Sequence, residues 1–259
     1  DNDAARVENC SVQKAIFGIY SAGTSAANPN LANVITKNDL TGTSGNRIRR
    51  VGILVFNQDG VEISLNAVGG IDSNESADSI GIGVGTQGID ATTVAAGGVV
   101  NAVVTRNRIQ SVVSASATGF SAAGITVAGG TGSNLIANNM ISGVIGPSTS
   151  PDLTSGIFVA GTTGSTTRLL ANSISLSGDR GAVASQMPSF GIAVTGTDPI
   201  IELKDNAIAN TQIASGGGAS AKSYAIGLVT TTFANLDANY NLYYATSSNP
   251  GFFRTGSLS

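Results

Sequence analysis

The sequence predicts an all-β solenoid of about eight coils, and three observations predict it. A six-residue segment with an asparagine in its fourth position recurs along the whole chain. A Gly-Ile pair recurs in phase with it. Both are built from Val, Ile, Thr, Ser, Asn and Gly, which suit strands and turns rather than helices.

The first marker reads Val7-Glu8-Asn9-Cys10-Ser11-Val12, then Ile35-Thr36-Lys37-Asn38-Asp39-Leu40, then Ile63-Ser64-Leu65-Asn66-Ala67-Val68. Later units start at Val104, Ile136, Leu169, Leu203 and Leu236. Successive starts lie 28, 28, 41, 32, 33, 34 and 33 residues apart. Read this way, the asparagine slot holds Asn38, Asn66, Asn107, Asn139, Asn172, Asn206 and Asn239, with Cys10 in the first unit. Asn has a physical reason to sit there. The chain must turn sharply between two strands of a coil, and Asn tolerates a left-handed backbone better than other non-Gly residues. Stacked coils then place Asn over Asn at ~4.8 Å, where the amides can form a ladder.

The second marker is Gly18-Ile19, Gly52-Ile53, Gly81-Ile82, Gly124-Ile125, Gly156-Ile157, Gly191-Ile192 and Ala225-Ile226. Each opens an alternating strand such as Gly156-Ile157-Phe158-Val159, which turns every second side chain to one face. The connection from this strand to the next asparagine segment is nearly constant, with insertions at Gly23 to Asn33 and Ile89 to Asn101. The return connection is a loop that lengthens along the chain, as solenoids collect insertions on one face. Ser148, in one of these loops, reads as exposed. Helical repeats would need Leu, Ala, Glu and Lys at helical spacing, and propeller blades usually need aromatic markers, whereas this chain has no Trp.

The succession Gly-Ile-x-Val, turn, Ile-x-x-Asn-x-Ile, loop resembles the right-handed parallel β-helix of the pectin-lyase-like superfamily. The resemblance spans residues 7 to about 245. It implies the fold and leaves the function open, because the family holds lyases, hydrolases, phage tailspikes, adhesins and structural surface proteins. Asn241-Leu242-Tyr243-Tyr244 followed by Asn249-Pro250-Gly251-Phe252 is similar to segments of large secreted bacterial β-helix proteins. Cys10 in the asparagine slot and Asn241 in an aliphatic slot depart from the pattern in the terminal units, where repeats are often atypical.

Composition narrows the function classes. Charged residues make up 11% of the chain, against an ordinary share of ~25%, and net charge is −3. The longest basic run is Arg49-Arg50, which argues against nucleic acid and anionic membrane as partners. No apolar stretch reaches the ~18 residues that span a bilayer. One Cys allows no internal disulfide, and Cys10 reads as a small buried hydrophobe.

The chain has no histidine, which removes the commonest general base and metal ligand. Residues expected to point outward on the Gly-Ile sheet are Leu54, Gly83, Thr126, Phe158, Ala193 and Gly227, none titratable. The asparagine sheet offers Lys37, Arg106, Lys204 and Asp205, with the three cations coils apart, whereas a catalytic pair needs ~5 to 10 Å. No catalytic or cofactor-binding residue is therefore assigned. Asp72, Glu75 and Asp78 crowd one loop and form a weak Ca²⁺ candidate, although their spacing fits no strict calcium motif. Thr162-Thr163, Thr166-Thr167 and Thr230-Thr231-Thr232 raise an ice-binding array, which would need one register repeated coil after coil.

The expectation is a single β-helix domain over residues 1–259, a segment of a longer chain or of an end-to-end assembly, because solenoid ends expose strand edges. The expected role is non-enzymatic: a secreted, cell-surface structural or adhesive solenoid. A carbohydrate-binding or polysaccharide-cleaving module is the alternative, with glycans as its partners.

Overall fold

The computed structural model describes residues 2–73, 77–88, 97–115, 119–128, 132–218, 221–229, 234–246 and 251–254. They wind into a parallel β-helix of three long sheets in which all sheet neighbours run parallel. Strands entering the asparagine corner form the approach sheet: Arg6–Glu8, Val34–Thr36, Glu62–Ser64, Val103–Thr105, Ser133–Ala137, Thr166–Leu170, Ile200–Lys204 and Leu236–Asn239. Strands leaving it form the departure sheet: Asp39–Thr41, Ala67–Ser73, Arg108–Ser114, Met140–Ile145, Ser173–Leu176, Ala207–Asn210 and Leu242–Ala245. The Gly-Ile sheet holds Phe17–Ala22, Val51–Phe56, Ser79–Val84, Ala122–Ala128, Thr154–Gly161, Ser189–Gly196, Ser223–Val229 and Gly251–Arg254.

Each sheet sends an aliphatic column into the core, and the Gly-Ile sheet adds a second, from Val55 through Val84, Val127, Val159 and Val194 to Leu228. Ile53, Ile82, Ile125, Ile157, Ile192 and Ile226 stack in register on the Gly-Ile sheet. Ile35, Ile63, Val104, Ile136, Leu169 and Leu203 stack on the approach sheet, and Leu40, Val68, Ile109, Ile141, Ile174 and Ile208 on the departure sheet. All belong to one buried cluster. Burying such a side chain contributes roughly 1.5–3 kcal/mol, so each coil adds several kcal/mol of hydrophobic stabilisation.

The glycine of the Gly-Ile pair is required by close approach. A Cβ on Gly124 would stand 2.6 Å from the Gly156 carbonyl oxygen and 2.6 Å from Ile141 Cγ2. Aliphatic columns converge here, so a glycine keeps the inner coils in contact, while Ala225 takes the same slot in the seventh unit. The two insertions also have a structural use. Asn30–Leu31 and Val99–Val100 come from them and sandwich Gln58–Asp59 in a small parallel sheet.

One expectation fails. The outer face of the Gly-Ile sheet is not a solvent face. Leu54, Thr126 and Phe158 are fully buried and Ala193 is nearly so. Leu54 packs with Val51 and Ile80, while Phe158 and Ala193 pack with Ala123, Leu153 and Phe190. The long return loops supply part of this cover: Leu153 belongs to the cluster and Met187 packs against it. Neighbouring loops also pair, through bridges from Thr149 to Gln186 and from Asp179 to Ile213.

Candidate functional site

The most regular constellation is the asparagine corner. Asn107 donates its backbone N–H and its amide Nδ2 to Asn139 Oδ1, both at 3.0 Å. Asn139 does the same to Asn172 at 3.1 Å, and Asn172 to Asn206 at 3.0 Å. The second Nδ2 hydrogen goes back one coil to the carbonyl of the core aliphatic, as from Asn139 to Val104 at 2.9 Å. Asn38 and Asn66 enter by the same bonds, and Cys10 N–H donates to Asn38 Oδ1 at 2.9 Å. Asn38, Asn66, Asn107, Asn139, Asn172 and Asn206 are all buried.

Two corrections follow. The ladder ends on Asn241, not Asn239: Asn206 donates to Asn241 Oδ1 at 3.0 and 2.9 Å. Asn239 pairs with Lys204 inside the approach sheet. The last unit is displaced by two residues because Ala238, not Leu236, takes the place opposite Leu203. The asparagines also do not make the left-handed turn. That φ belongs to the residue before each: Lys37 (55°), Leu65 (58°), Arg106 (57°), Asn138 (55°), Ala171 (53°), Asp205 (58°) and Tyr240 (55°). The asparagine is selected for its inward amide, which leaves the turn residue free to be almost anything.

Most charged residues of the approach sheet gather at its two ends; Glu62, in the third coil, accepts from Ser64 Oγ at 2.6 Å instead. Glu8 accepts from Arg6 Nε at 2.5 Å and from Lys37 Nζ at 2.9 Å. These bonds hold its carboxyl at about 2. Six coils further on, Glu202 accepts from Arg168 Nε at 2.5 Å and Lys204 Nζ at 2.9 Å, and Lys204 also reaches Asp237 at 2.6 Å. Arg168 and Lys204 push the Glu202 carboxyl below its usual range, and Asp237 and Glu202 push the Lys204 ammonium up. Sequence reasoning picked out Lys204 but missed Arg168, Glu202 and Asp237. Their common register slot, three residues before the turn residues Ala171, Asp205 and Tyr240, was the available signal.

The calcium candidate is divided. Asp72 pairs with Arg47, Asp78 Oδ1 accepts from Ser121 N–H at 2.9 Å, and Glu75 lies outside the described residues. No group of three or more metal-ligating side chains occurs among the described residues. Lys37 and Arg106 share the corner column, whereas Lys204 lies one slot earlier on the strand. Thr166 and Thr167 stack on Ser133 and Asn134 below and on Ile200 and Ile201 above, so they join no threonine column. Thr230, Thr231 and Thr232 lie outside the described residues. Cys10 is exposed rather than buried, because its slot belongs to the first coil and has no coil before it among the described residues.

A shallow trough of about 380 Å³ crosses the outer face of the departure sheet. Ser142, Ser173 and Ser175 line its floor, Arg108 and Met140 stand at one end, and Tyr244 at the other. Arg108 is its only charged lining residue. In the return loop that follows Ser173–Leu176, Arg180 pins the loop cover. It is 2% exposed and donates to the Met187 and Ala221 carbonyls at 2.8 and 3.0 Å. Burial pushes its guanidinium down to about 10, still charged at neutral pH. No family model matches the chain, and no curated protein or solved structure matches it.

Proposed function

We propose that this chain is a non-enzymatic, extracellular structural or adhesive solenoid, part of a bacterial surface protein or filament and related to the pectin-lyase-like β-helices. One observation carries the reading: the clustered carboxylates on the open approach sheet are tied up in ion pairs. A glycosidase acid needs a carboxyl raised toward working pH, standing near a second carboxylate with room for substrate. Glu8 and Glu202 are shifted the other way, and each is flanked by two cations. The low charge content and the single cysteine fit a secreted bacterial solenoid. Its partners are flanking coils, its own or those of a further copy.

The test is a screen of the purified chain against pectins, alginates, glucans and host glycans, with and without Ca²⁺, for reducing ends and unsaturated products. No product is expected. Depolymerisation that disappears in Glu202→Gln or Asp72→Asn would overturn the reading. A second reading, a saccharide-binding module, is favoured by the trough alone, where an aromatic ring and three hydroxyls line a groove. It requires glycan retention that Tyr244→Ala abolishes.

A further inference from the structure

The outer face of the departure sheet is complementary to itself when the order of its coils is reversed. Its first outward column runs Ala67, Arg108, Met140, Ser173, Ala207, Leu242. About the middle of that column each large side chain mirrors a small one: Met140 with Ser173, Arg108 with Ala207 and Leu242 with Ala67. In the second outward column Tyr244 mirrors Gly69 and Gln110 mirrors Ala209, with Ser142 and Ser175 at the centre. The column of left-handed turn residues beside them mirrors charge, Arg106 with Asp205, and pairs the exposed Leu65 with the exposed Tyr240. None of Arg106, Arg108 and Asp205 takes part in an ion pair among the described residues. Met140 and Leu242 are 61% and 69% exposed, the kind of apolar exposure that marks an interaction surface.

We propose that this face docks the same face of a second copy, about a two-fold axis that runs along the strands between Met140 and Ser173. This rests on the structural reading above and names a partner for the side of the solenoid. Such an axis keeps the strand direction and reverses the coil order, so the fourth coil meets the seventh and the fifth meets the sixth. Met140 then settles on Ser173 of the second copy, Arg106 meets its Asp205, and Leu242 and Tyr244 lie over its Ala67 and Gly69. The trough of about 380 Å³ is the small-residue floor over Ser173, Ser175 and Ala207, and the second copy's Met140 and Arg108 enter it. An axis along the solenoid is disfavoured, because it would set Arg108 on Arg108 and Met140 on Met140.

The contact is isologous, so it closes as a dimer and does not propagate. It lies on the side of the stack, where further coils of the same chain, which add along the axis, do not reach. Six strands at ~4.8 Å spacing make the face about 24 Å long, and four residues per strand make it about 13 Å wide. That is a small patch beside the ~800 Å² each partner gives a standard interface, so the association should be weak and reversible.

The test is sedimentation velocity of the full chain over a concentration series, joined to cross-linking in a Cys10→Ser background. A dimer that grows with concentration is expected. Asp205→Arg should weaken it about tenfold, because an exposed pair turned repulsive occurs twice in the dimer, and adding Arg106→Asp should recover most of the loss. Ser173→Trp fills the place that Met140 takes and should abolish the dimer. These positions are exposed, and circular dichroism checks each fold. For orientation, Gln110→Cys and Ala209→Cys chains are mixed with a bis-maleimide whose span matches the ~10 Å between packed sheets. Position 110 should join to 209 and not to a second 110, which lies three coils, ~14 Å, further along. A chain that stays monomeric up to about millimolar concentration would overturn the proposal. So would 110-to-110 linkage, or a dimer indifferent to Asp205→Arg and Ser173→Trp. Glycan retention by a monomer, lost in Tyr244→Ala, would give this face to a saccharide instead and overturn the dimer. Glycan cleavage would overturn the structural reading and leave the dimer standing.

Discussion

At the asparagine corner each buried amide meets the same partners in coil after coil, while over the Gly-Ile sheet the described loops bury most of their polar groups by different devices. Asn107, Asn139 and Asn172 each use both amide hydrogens and accept two N–H bonds. The loops use single devices instead. Arg180 reaches two carbonyls, Gln212 Nε2 donates to the Val144 carbonyl at 2.7 Å, and Ser121 joins Asp78 to Asp152. The leftovers fall accordingly. Arg180 Nε, Gln212 Oε1 and Thr126 Oγ1 are buried with no hydrogen-bond partner, and no ladder asparagine shares that condition. Repetition satisfies polar groups because one good geometry, once found, is copied by translation. A loop that occurs once must be satisfied on its own terms.

The largest expected effect tests the copied geometry. Asn139→Ala deletes four hydrogen bonds and leaves the Asn107 N–H and amide buried with nothing to accept them. Stranding a buried donor costs about 1–3 kcal/mol, so the loss should be on the order of 3–5 kcal/mol. Denaturant unfolding beside Ser175→Ala, an exposed change, measures it. Equal midpoints for the two variants would mean the ladder is incidental.

The next effect is smaller and local. Arg180→Met removes a costly buried charge but leaves the Met187 and Ala221 carbonyls without that donor. The opposing terms should leave a loss of about 1–2 kcal/mol. Faster amide exchange should stay within residues 177–188 and 211–218. Spread of that exchange to the central coils would show that the loop cover is as integral as the corner.

This contrast also sets what the sequence could show. The Gly-Ile and asparagine columns repeat, so the sheets, the core and six of the seven proposed ladder positions were legible from spacing. The seventh slipped because Leu236 looks like the core aliphatic, whereas Ala238 fills that slot. The turn was misassigned because Asn tolerates a left-handed φ, yet Leu65 and Ala171 carry it here. Nothing in the loops repeats, so their cover was illegible. Ser148, which reads as an exposed loop residue, is fully buried and shares a 2.6 Å hydrogen bond with Thr154. The ion-pair networks lay between these cases: Arg168, Glu202 and Asp237 become neighbours only once the register is known.

The smallest expected effect separates the neutral corner from the charged edge by pH. The ladder asparagines do not titrate. Glu8 does, and hydrogen bonds from Arg6 and Lys37 lower its carboxyl from an ordinary 4.5 to about 2. A carboxyl with a depressed folded-state value binds protons more readily when unfolded. Its contribution is therefore fully present above pH 4.5 and is lost as pH falls toward about 2. The pair is solvent-exposed, so salt should screen it and the effect should be confined to the first coil. Amide exchange at Arg6–Glu8 and Val34–Thr36 should quicken through that window, while the amides of Asn139 and Asn172 hold their protection. Glu8→Gln should remove the pH dependence at the first coil and leave the central coils unaltered. Equal acid sensitivity in both places would mean that the corner draws on charges elsewhere in the coil, and the division between neutral corner and charged edge would fall.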